Sequence, residues 1–492
     1  MQIEREFRAS RPRRLEANAG LREWLRVVDA ILGAIEAAVW EVRDAGERAW
    51  DEARSTPEEV KRLAATGWCL TAIAASYRLH VTRAAFLPRA RAARALEALH
   101  EKNARRFYEL SVEHGGAFLK VGQLLSARAD LLPPAWVREL ARLQDAAPSL
   151  PFEAVRATVE EDFGEPLEDA FASFDEAPIA AASIGQVHRA RTHDGRDVAV
   201  KVRRPGIEAL VARDLDLLET FVRGARASLP PSDWDTIVRE VRAMVLAELD
   251  YARERETMER LGAFFADGPF EGIRAPVAVP ERCTARVLVS SFERGDKITD
   301  ALDALAEAGA HARVSTILGR LIEAYVAQVL EAGVFQADPH PGNFLVADDD
   351  ALVILDFGCA KELPREVRDG YLALVRAALL SDRARVVAEL AALGFETASG
   401  RPDTLERFAD AMLKDFRDAA ASGELRFPDG EGMLRQAREL LGAAEQDPVV
   451  RVPEHFVMLG RVFGTLAGLF AHYRPHIDYA THVLPVFMRA GR

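Results

Sequence analysis

Apolar residues recur at helical spacing from Leu21 to Val42, at Leu21, Trp24, Leu25, Val28, Ile31, Leu32, Ile35, Val39 and Val42, which predicts one amphipathic helix. Its other face mixes Arg22, Glu23, Arg26, Asp29, Glu36 and Glu41, where a membrane-surface helix would be mainly basic, so it is expected to pack against the rest of the protein. A second helix is predicted to start at Thr56-Pro57-Glu58-Glu59. Thr56 would cap it, Pro57 suits the first turn and Glu59 closes a capping box. Residues 1–100 therefore read as an all-helical extension, followed by a helical segment over 101–150.

The pattern changes within 151–296. Runs rich in β-formers, Gln186-Val187-His188 and Val198-Ala199-Val200-Lys201-Val202, flank Asp194-Gly195, which signals a hairpin. Helical patterns follow at 206–226 and 234–265, then a short strand at 286–289, giving a small sheet with helices. From 297 to 492 the chain reads as helical, interrupted by a second hairpin in which 343–346 and 351–355 flank the Asp-rich turn 348–350. The expected fold class is α+β, and no internal repeat is visible.

Composition adds limits. At 492 residues the chain suits two or three packed units. Its 49% hydrophobic and 29% charged residues fit a folded protein. The 77 acidic against 64 basic residues leave −13, which repels phosphate backbones and excludes nucleic acid as the main partner. Cys69, Cys283 and Cys359 show no CxxC spacing, so neither a disulfide framework nor a cysteine zinc site is expected, and a cytoplasmic location is the default. The first twenty residues lack a secretory pattern. The apolar stretches 67–87 and 455–472 are broken by charges, so no membrane span is expected.

Candidate chemistry lies in Asp338-Pro339-His340-Pro341-Gly342-Asn343 and Asp356-Phe357-Gly358. Asn343 follows Asp338 by five positions and Asp356 follows Asn343 by thirteen, across the second hairpin, which is the order and spacing of a protein-kinase-like active site. Asp338 would orient or deprotonate an attacking hydroxyl, while Asn343 and Asp356 offer hard oxygen ligands to Mg²⁺. An ordinary strand exit would explain Asp-Phe-Gly alone, but not the pair of motifs. Upstream, Lys201 sits in a strand fourteen positions after Val187, as a phosphate-contacting lysine would. A carboxylate should hold it extended, and the pattern 234–265 supplies Glu248, Asp250 and Glu254. In one continuous helix Glu248 and Glu254, six positions apart, would project from different sides, whereas Asp250 and Glu254, four apart, would share a face. Two carboxylate-bearing faces imply two basic partners and so a second functional lysine.

The segment Phe118-Leu119-Lys120-Val121-Gly122-Gln123-Leu124-Leu125, continuing through Ser126, Arg128 and Asp130 to Leu143-Gln144-Asp145, has no catalytic reason in its spacing. Together with Ala180-Ala181-Ala182-Ser183-Ile184-Gly185-Gln186-Val187-His188, Glu248-Leu249-Asp250-Tyr251 and the Asp338 motif, it resembles the UbiB family of atypical kinases, the aarF-domain-containing proteins, over residues 105–375.

That resemblance implies a two-lobed, protein-kinase-like fold whose helical extension carries the family's KxGQ motif, here Lys120 and Gln123, over the active site. Glu248 and Asp250 would be its ExD motif. Lys120 would pair with Glu248, leaving Glu254 for Lys201, and Lys120, Gln123, Glu248 and Asp250 would be regulatory. Catalysis would fall to Asp338 and Lys201, with Lys120, and Mg²⁺ to Asn343 and Asp356. ATP or ADP would lie against Ala180, Ala181, Ala182, Ser183, Gly185, Val187, Lys201 and Glu254. The implied activity is that of a Mg-nucleotide kinase or ATPase acting on a small-molecule or lipid acceptor or on water, with a link to isoprenoid-quinone biosynthesis. Peripheral membrane contact and a homo-oligomer are compatible with it.

The chain departs from the family pattern at Gln336, where histidine is common, at Leu249, where cysteine is common, and in showing no C-terminal membrane helices. It also departs from protein kinases. Their glycine loop maps onto Ala180, Ala182, Gly185 and Val187, and the two alanines restrict φ and the backbone's approach to phosphate. Only 359–363 separate Gly358 from Pro364, too short for an activation loop. Cys359 is expected to be a small buried residue. Two other readings stand beside this one. A small-molecule kinase of the aminoglycoside-phosphotransferase type shares the Asp338 geometry but not the Lys120 and Ala180 motifs, and a pseudokinase would use nucleotide as a switch for partners.

Overall fold

Pro57 opens the first helix of the computed structural model, which describes residues 57–84, 86–126, 132–145, 149–181, 183–225, 234–397, 402–425, 449–451 and 453–491. The helix expected at 21–42, the capping Thr56, Arg128, Asp130 and Ala182 lie outside the described residues. Along the chain run α1 (Pro57–Ala84), α2 (Arg89–His114), α3 (Gly116–Ser126), α4 (Pro134–Ala141) and α5 (Phe152–Phe163). Strands β1 (Ser173–Phe174), β2 (Ala180–Ala181), β3 (Gly185–Arg191) and β4 (Asp197–Arg203) come next, then α6 (Ile207–Ala225), α7 (Trp234–Ala247) and α8 (Tyr251–Asp267). The remainder includes β5 (Ile273–Arg274), β6 (Val287–Ser291), β7 (Asp296–Lys297), α9 (His311–Ala327), β8 (Val334–Gln336), β9 (Phe344–Val346), β10 (Leu352–Ile354), β11 (Ala360–Glu362) and α10 (Arg365–Leu379), with further helices beyond.

Two compact units result. One comprises Met1–Pro148, Ala182–Ile184 and Gly206–Val245; the other comprises Ser149–Ala181, Gly185–Pro205 and Leu246–Arg492. The grouping differs from the boundaries read in the sequence, because α6 packs on α1 and α3. Its Ile207, Val211 and Leu215 are buried. Arg62 of α1 ties this helical unit together, pairing with Asp214 of α6 at 2.8 Å and donating to the carbonyl of His114 at the end of α2. Within α3, a Cβ on Gly122 would overlap Cδ1 of the fully buried Leu143, so alanine here would push that side chain aside within the core. Gly122→Ala is expected to cost about 1–3 kcal/mol through overpacking, read as a lower midpoint in urea unfolding.

In the second unit the strand order is β1-β3-β4-β6, with β2 added on β3. Val198, Val200 and Val202 alternate into a core with Val155, Val159, Phe171, Val287 and Val289. The two-residue period of a strand therefore turns Lys201 to the opposite face. The Asp194-Gly195 hairpin joins β3 to β4 in antiparallel register, Val187 facing Lys201. The second expected hairpin is β9–β10, with Phe344 opposite Ile354, and Arg313 forks onto Asp350 in its turn. Strand β8 pairs with β11, Gln336 opposite Ala360, which brings the chain after β8 beside the chain before β11.

The continuous helix expected over 234–265 is two helices. α7 ends at Ala247, and Asp250 caps α8 by accepting from the Arg253 amide at 3.1 Å. Asp250 thus precedes the helix and shares no helical face with Glu254, and the single-helix relation expected between Glu248 and Glu254 does not apply. The break is physical: an aspartate at an N-cap satisfies a free amide of the first turn, and Arg203 donates to the buried Leu249 carbonyl there. Against the expectation of no membrane span, the helix Glu454–Tyr473 is long and apolar enough to cross a membrane by length and composition, with mean hydropathy 1.3. Its Leu459, Val462, Leu466 and Phe470 are buried along one face, while most of the helix is not.

Candidate active site

Lys201 Nζ donates to both carboxylate oxygens of Glu254, at 2.7 and 2.8 Å, and lies 3.9 Å from Asp356 Oδ1. Its ammonium also stands 5.1 Å from the Tyr251 ring centroid, a cation–π distance. The Glu254 side chain is 2% exposed and that of Lys201 19%. Burial alone would push the Lys201 ammonium down, but Asp356 and Glu254 outweigh it and hold its pKa above the ordinary lysine value. Burial pushes the Glu254 carboxyl up to about 7, against the pull of Lys201. The pair thus presents a fixed cation beside Asp356, at the mouth of the Asp-Phe-Gly turn.

That turn is held locally. The Gly358 amide donates to Asp356 Oδ1 at 2.9 Å, while Phe357 and Cys359 are buried, Cys359 as expected. Opposite it, three donors converge on the carbonyl of Asp338: the His340 amide at 2.8 Å, Gln336 Nε2 at 2.7 Å and Asn343 Nδ2 at 3.0 Å. The Asn343 carbonyl accepts from the Leu355 amide at 2.9 Å, which ties the Asp338 loop to the strand leading into Asp356.

Gln336 is the residue whose role sequence reasoning missed. It is buried, its Oε1 accepts from the Tyr325 hydroxyl, its amide donates to Gln328 Oε1 at 2.9 Å and its Nε2 reaches Asp338. An imidazole could make part of this set, which accounts for histidine as the alternative at this position. Gln336→Leu strands the buried Tyr325 hydroxyl and releases the Asp338 carbonyl, at a cost of about 1–3 kcal/mol. The expected outcome is a lower turnover with nucleotide affinity retained, and partial recovery in Gln336→His, measured by steady-state kinetics on both variants.

Of the proposed nucleotide loop, Ala180 and Ala181 form β2, opposite Val187 and Gln186. Ala180 is exposed, Ala181 and Val187 are half-buried and Ser183 is buried. Gly185 has a packing reason: a Cβ there would lie 2.5 Å from the Tyr251 hydroxyl and 2.6 Å from the Val202 carbonyl. Gln186 and His188, quoted in the sequence without a role, form a buried relay. Leu150 donates its amide to Gln186 Oε1 at 2.8 Å, Gln186 Nε2 lies 2.8 Å from His188 Nε2, and His188 Nδ1 lies 2.8 Å from the Asp175 carbonyl. A carbonyl only accepts, so Nδ1 carries the proton, in keeping with burial lowering the His188 pKa.

In the helical unit, Lys120 is buried on α3, and Gln123 Nε2 donates to the Leu143 carbonyl at 2.9 Å. Glu248 and Asp250 lie in the break before α8. The pairing of Lys120 with Glu248 rests on the resemblance.

Among the described residues, no cluster of three or more His, Cys, Asp or Glu could hold a metal by itself. Magnesium does not require one, since it keeps several waters and takes its other ligands from phosphates and one or two protein oxygens. Asp356 and the Asn343 amide oxygen fit that donor set. Anionic phosphates fit the Lys201 ammonium in the same way.

Comparisons with known proteins follow the same lines. Residues 142–390 match the family model for the ABC1 atypical kinase-like domain. The chain is 33% identical over 380 residues to ACTIVITY OF BC1 COMPLEX KINASE 7, chloroplastic, of Arabidopsis thaliana, covering 77% of this chain and 53% of that protein. It is 32% identical over 293 residues to AarF domain-containing protein kinase 1 of Xenopus tropicalis, covering 58% of this chain and 55% of that one. The chain thus spans about half the length of these curated relatives. Among solved structures, that of Rv3197 from Mycobacterium tuberculosis in complex with erythromycin aligns at TM-score 0.56 and 22% identity, covering 80% of this chain and 98% of that one, which shows a shared fold.

Proposed function

This chain belongs to the ABC1 atypical kinase-like family, and we propose that it is an ATP-dependent phosphotransferase or ATPase that binds ATP or ADP with Mg²⁺. The observation that carries the reading is the cluster of Lys201, Glu254 and Asp356, with both Glu254 oxygens engaged by the lysine. Glu254 holds Lys201 extended, so that its ammonium meets phosphate oxygens in place of bulk water. Asp338, its loop fixed by Gln336 and Asn343, orients the acceptor hydroxyl and takes its proton. When bound through Asn343 and Asp356, Mg²⁺ neutralises phosphate charge.

The acceptor is a small molecule, a lipid or water. A peptide substrate fits poorly, because β11, Leu363 and Pro364 alone separate Gly358–Cys359 from α10, leaving no platform for it. The family resemblance extends the proposal to support of isoprenoid-quinone biosynthesis, from a cytoplasmic or peripheral membrane location.

Nucleotide binding is expected to require the divalent cation, since one lysine cannot neutralise two or three phosphates. Saturating MgATP should stabilise the protein by about 2.7 kcal/mol at a hundredfold excess over Kd, read as a rise in melting temperature. An equal rise in the presence of a chelator would remove the metal assignment from Asn343 and Asp356.

A further inference from the structure

Over residues 61–96 the sequence carries seven Lys or Arg and not one Asp or Glu, in a protein whose formal charge is −13. This run forms α1 and the first turns of α2, which pack side by side and meet at the Phe86-Leu87-Pro88 turn. Arg83, Arg89, Arg91 and Arg94 are exposed around that turn, and none has an acidic partner among the described residues. Between them Phe86 is 76% exposed and Leu87 39%.

Along α1, Trp68 is 77% exposed and Leu79 49%. They are eleven residues apart, close to three whole turns of helix, which sets them on one stripe. An apolar stripe thus leads to a projecting apolar tip ringed by cations. A solvent face would mix both signs of charge, and a core face would be buried. Leu380, 80% exposed, also has arginines nearby, but Arg383 and Arg385 are neutralised by Glu406 and Glu389.

We propose that the α1–α2 hairpin docks on a bilayer surface bearing anionic lipid. Trp68, Leu79, Phe86 and Leu87 enter the boundary between headgroups and acyl chains, and the four arginines meet lipid phosphates. Exposed tryptophan and phenylalanine flanked by arginine suit that boundary. A convex tip of a few side chains would bury too little area for a stable protein interface. The proposal does not rest on the nucleotide site, and its test contains no nucleotide.

The test is sedimentation of the full chain with vesicles of phosphatidylcholine, alone or mixed with phosphatidylglycerol. The chain is expected to partition onto the mixed vesicles, less so as salt rises, and not onto phosphatidylcholine alone. Arg89→Glu/Arg91→Glu should weaken partitioning by at least about 25-fold, fivefold for each arginine. Phe86→Ser should weaken it as well, while Leu380→Ser should leave it unchanged. Equal binding to both vesicle types, or an equal loss in Leu380→Ser, would overturn the proposal. So would failure to bind vesicles accompanied by a dimer that dissociates in the arginine variant, which would assign the surface to a second copy of the chain.

Discussion

Glu254→Ala is expected to destabilise the sheet-bearing unit by about 3 kcal/mol, the lower end of the range for breaking a buried ion pair. The substitution leaves the Lys201 ammonium in a site whose side chain is 19% exposed, with Asp356 at 3.9 Å as a partial substitute. Those two features place the effect at the low end. Replacing both partners, Lys201→Met with Glu254→Leu, should recover much of the loss, because two apolar side chains of similar volume need no charge compensation. Urea unfolding of the three proteins checks this. If Glu254→Ala and the double variant unfold at the parent's midpoint, the pair is not the buried cluster described above. The double variant should still fail to bind MgATP, which separates stability from function.

The second large effect concerns Asp338. Asp338→Asn keeps the side chain's size but removes the proton acceptor, so turnover should fall by about 10²–10⁴ while nucleotide affinity stays close to the parent's. Such a change in kcat alone is the signature of an interaction made in the transition state. The three hydrogen bonds that fix this loop end on the Asp338 backbone carbonyl and do not involve the substituted group. The fold should therefore survive the change.

Much of this arrangement is legible in the sequence. The Asp194-Gly195 turn, the spacing of Asp338, Asn343 and Asp356, and the alternation of Val198, Val200 and Val202 around Lys201 are local signals, and the structure forms the corresponding hairpins. The break between α7 and α8 was hidden because helical periodicity runs on both sides of Glu248-Leu249-Asp250. The capping aspartate was its only mark. Lys201 meets Glu254 as expected, yet by a route the continuous-helix geometry did not describe. The grouping of α6 with the N-terminal helices was not legible, since periodicity shows that a helix has an apolar face but not what covers it. Gln336 depends on Tyr325, eleven residues earlier, and on Gln328, contacts that exist only once α9 and β8 have packed.

The central claim is that Lys201, Asp338, Asn343 and Asp356 form one working Mg-nucleotide site. Phosphate release from MgATP by the purified chain, compared with Asp356→Asn, tests it most directly. The account predicts measurable release by the parent and a loss of about 10²-fold or more in the variant, since one metal-binding carboxylate acts on charge that develops in the transition state. Equal release by parent and variant would contradict it, as would MgATP binding by the parent with no release or transfer of phosphate to any acceptor.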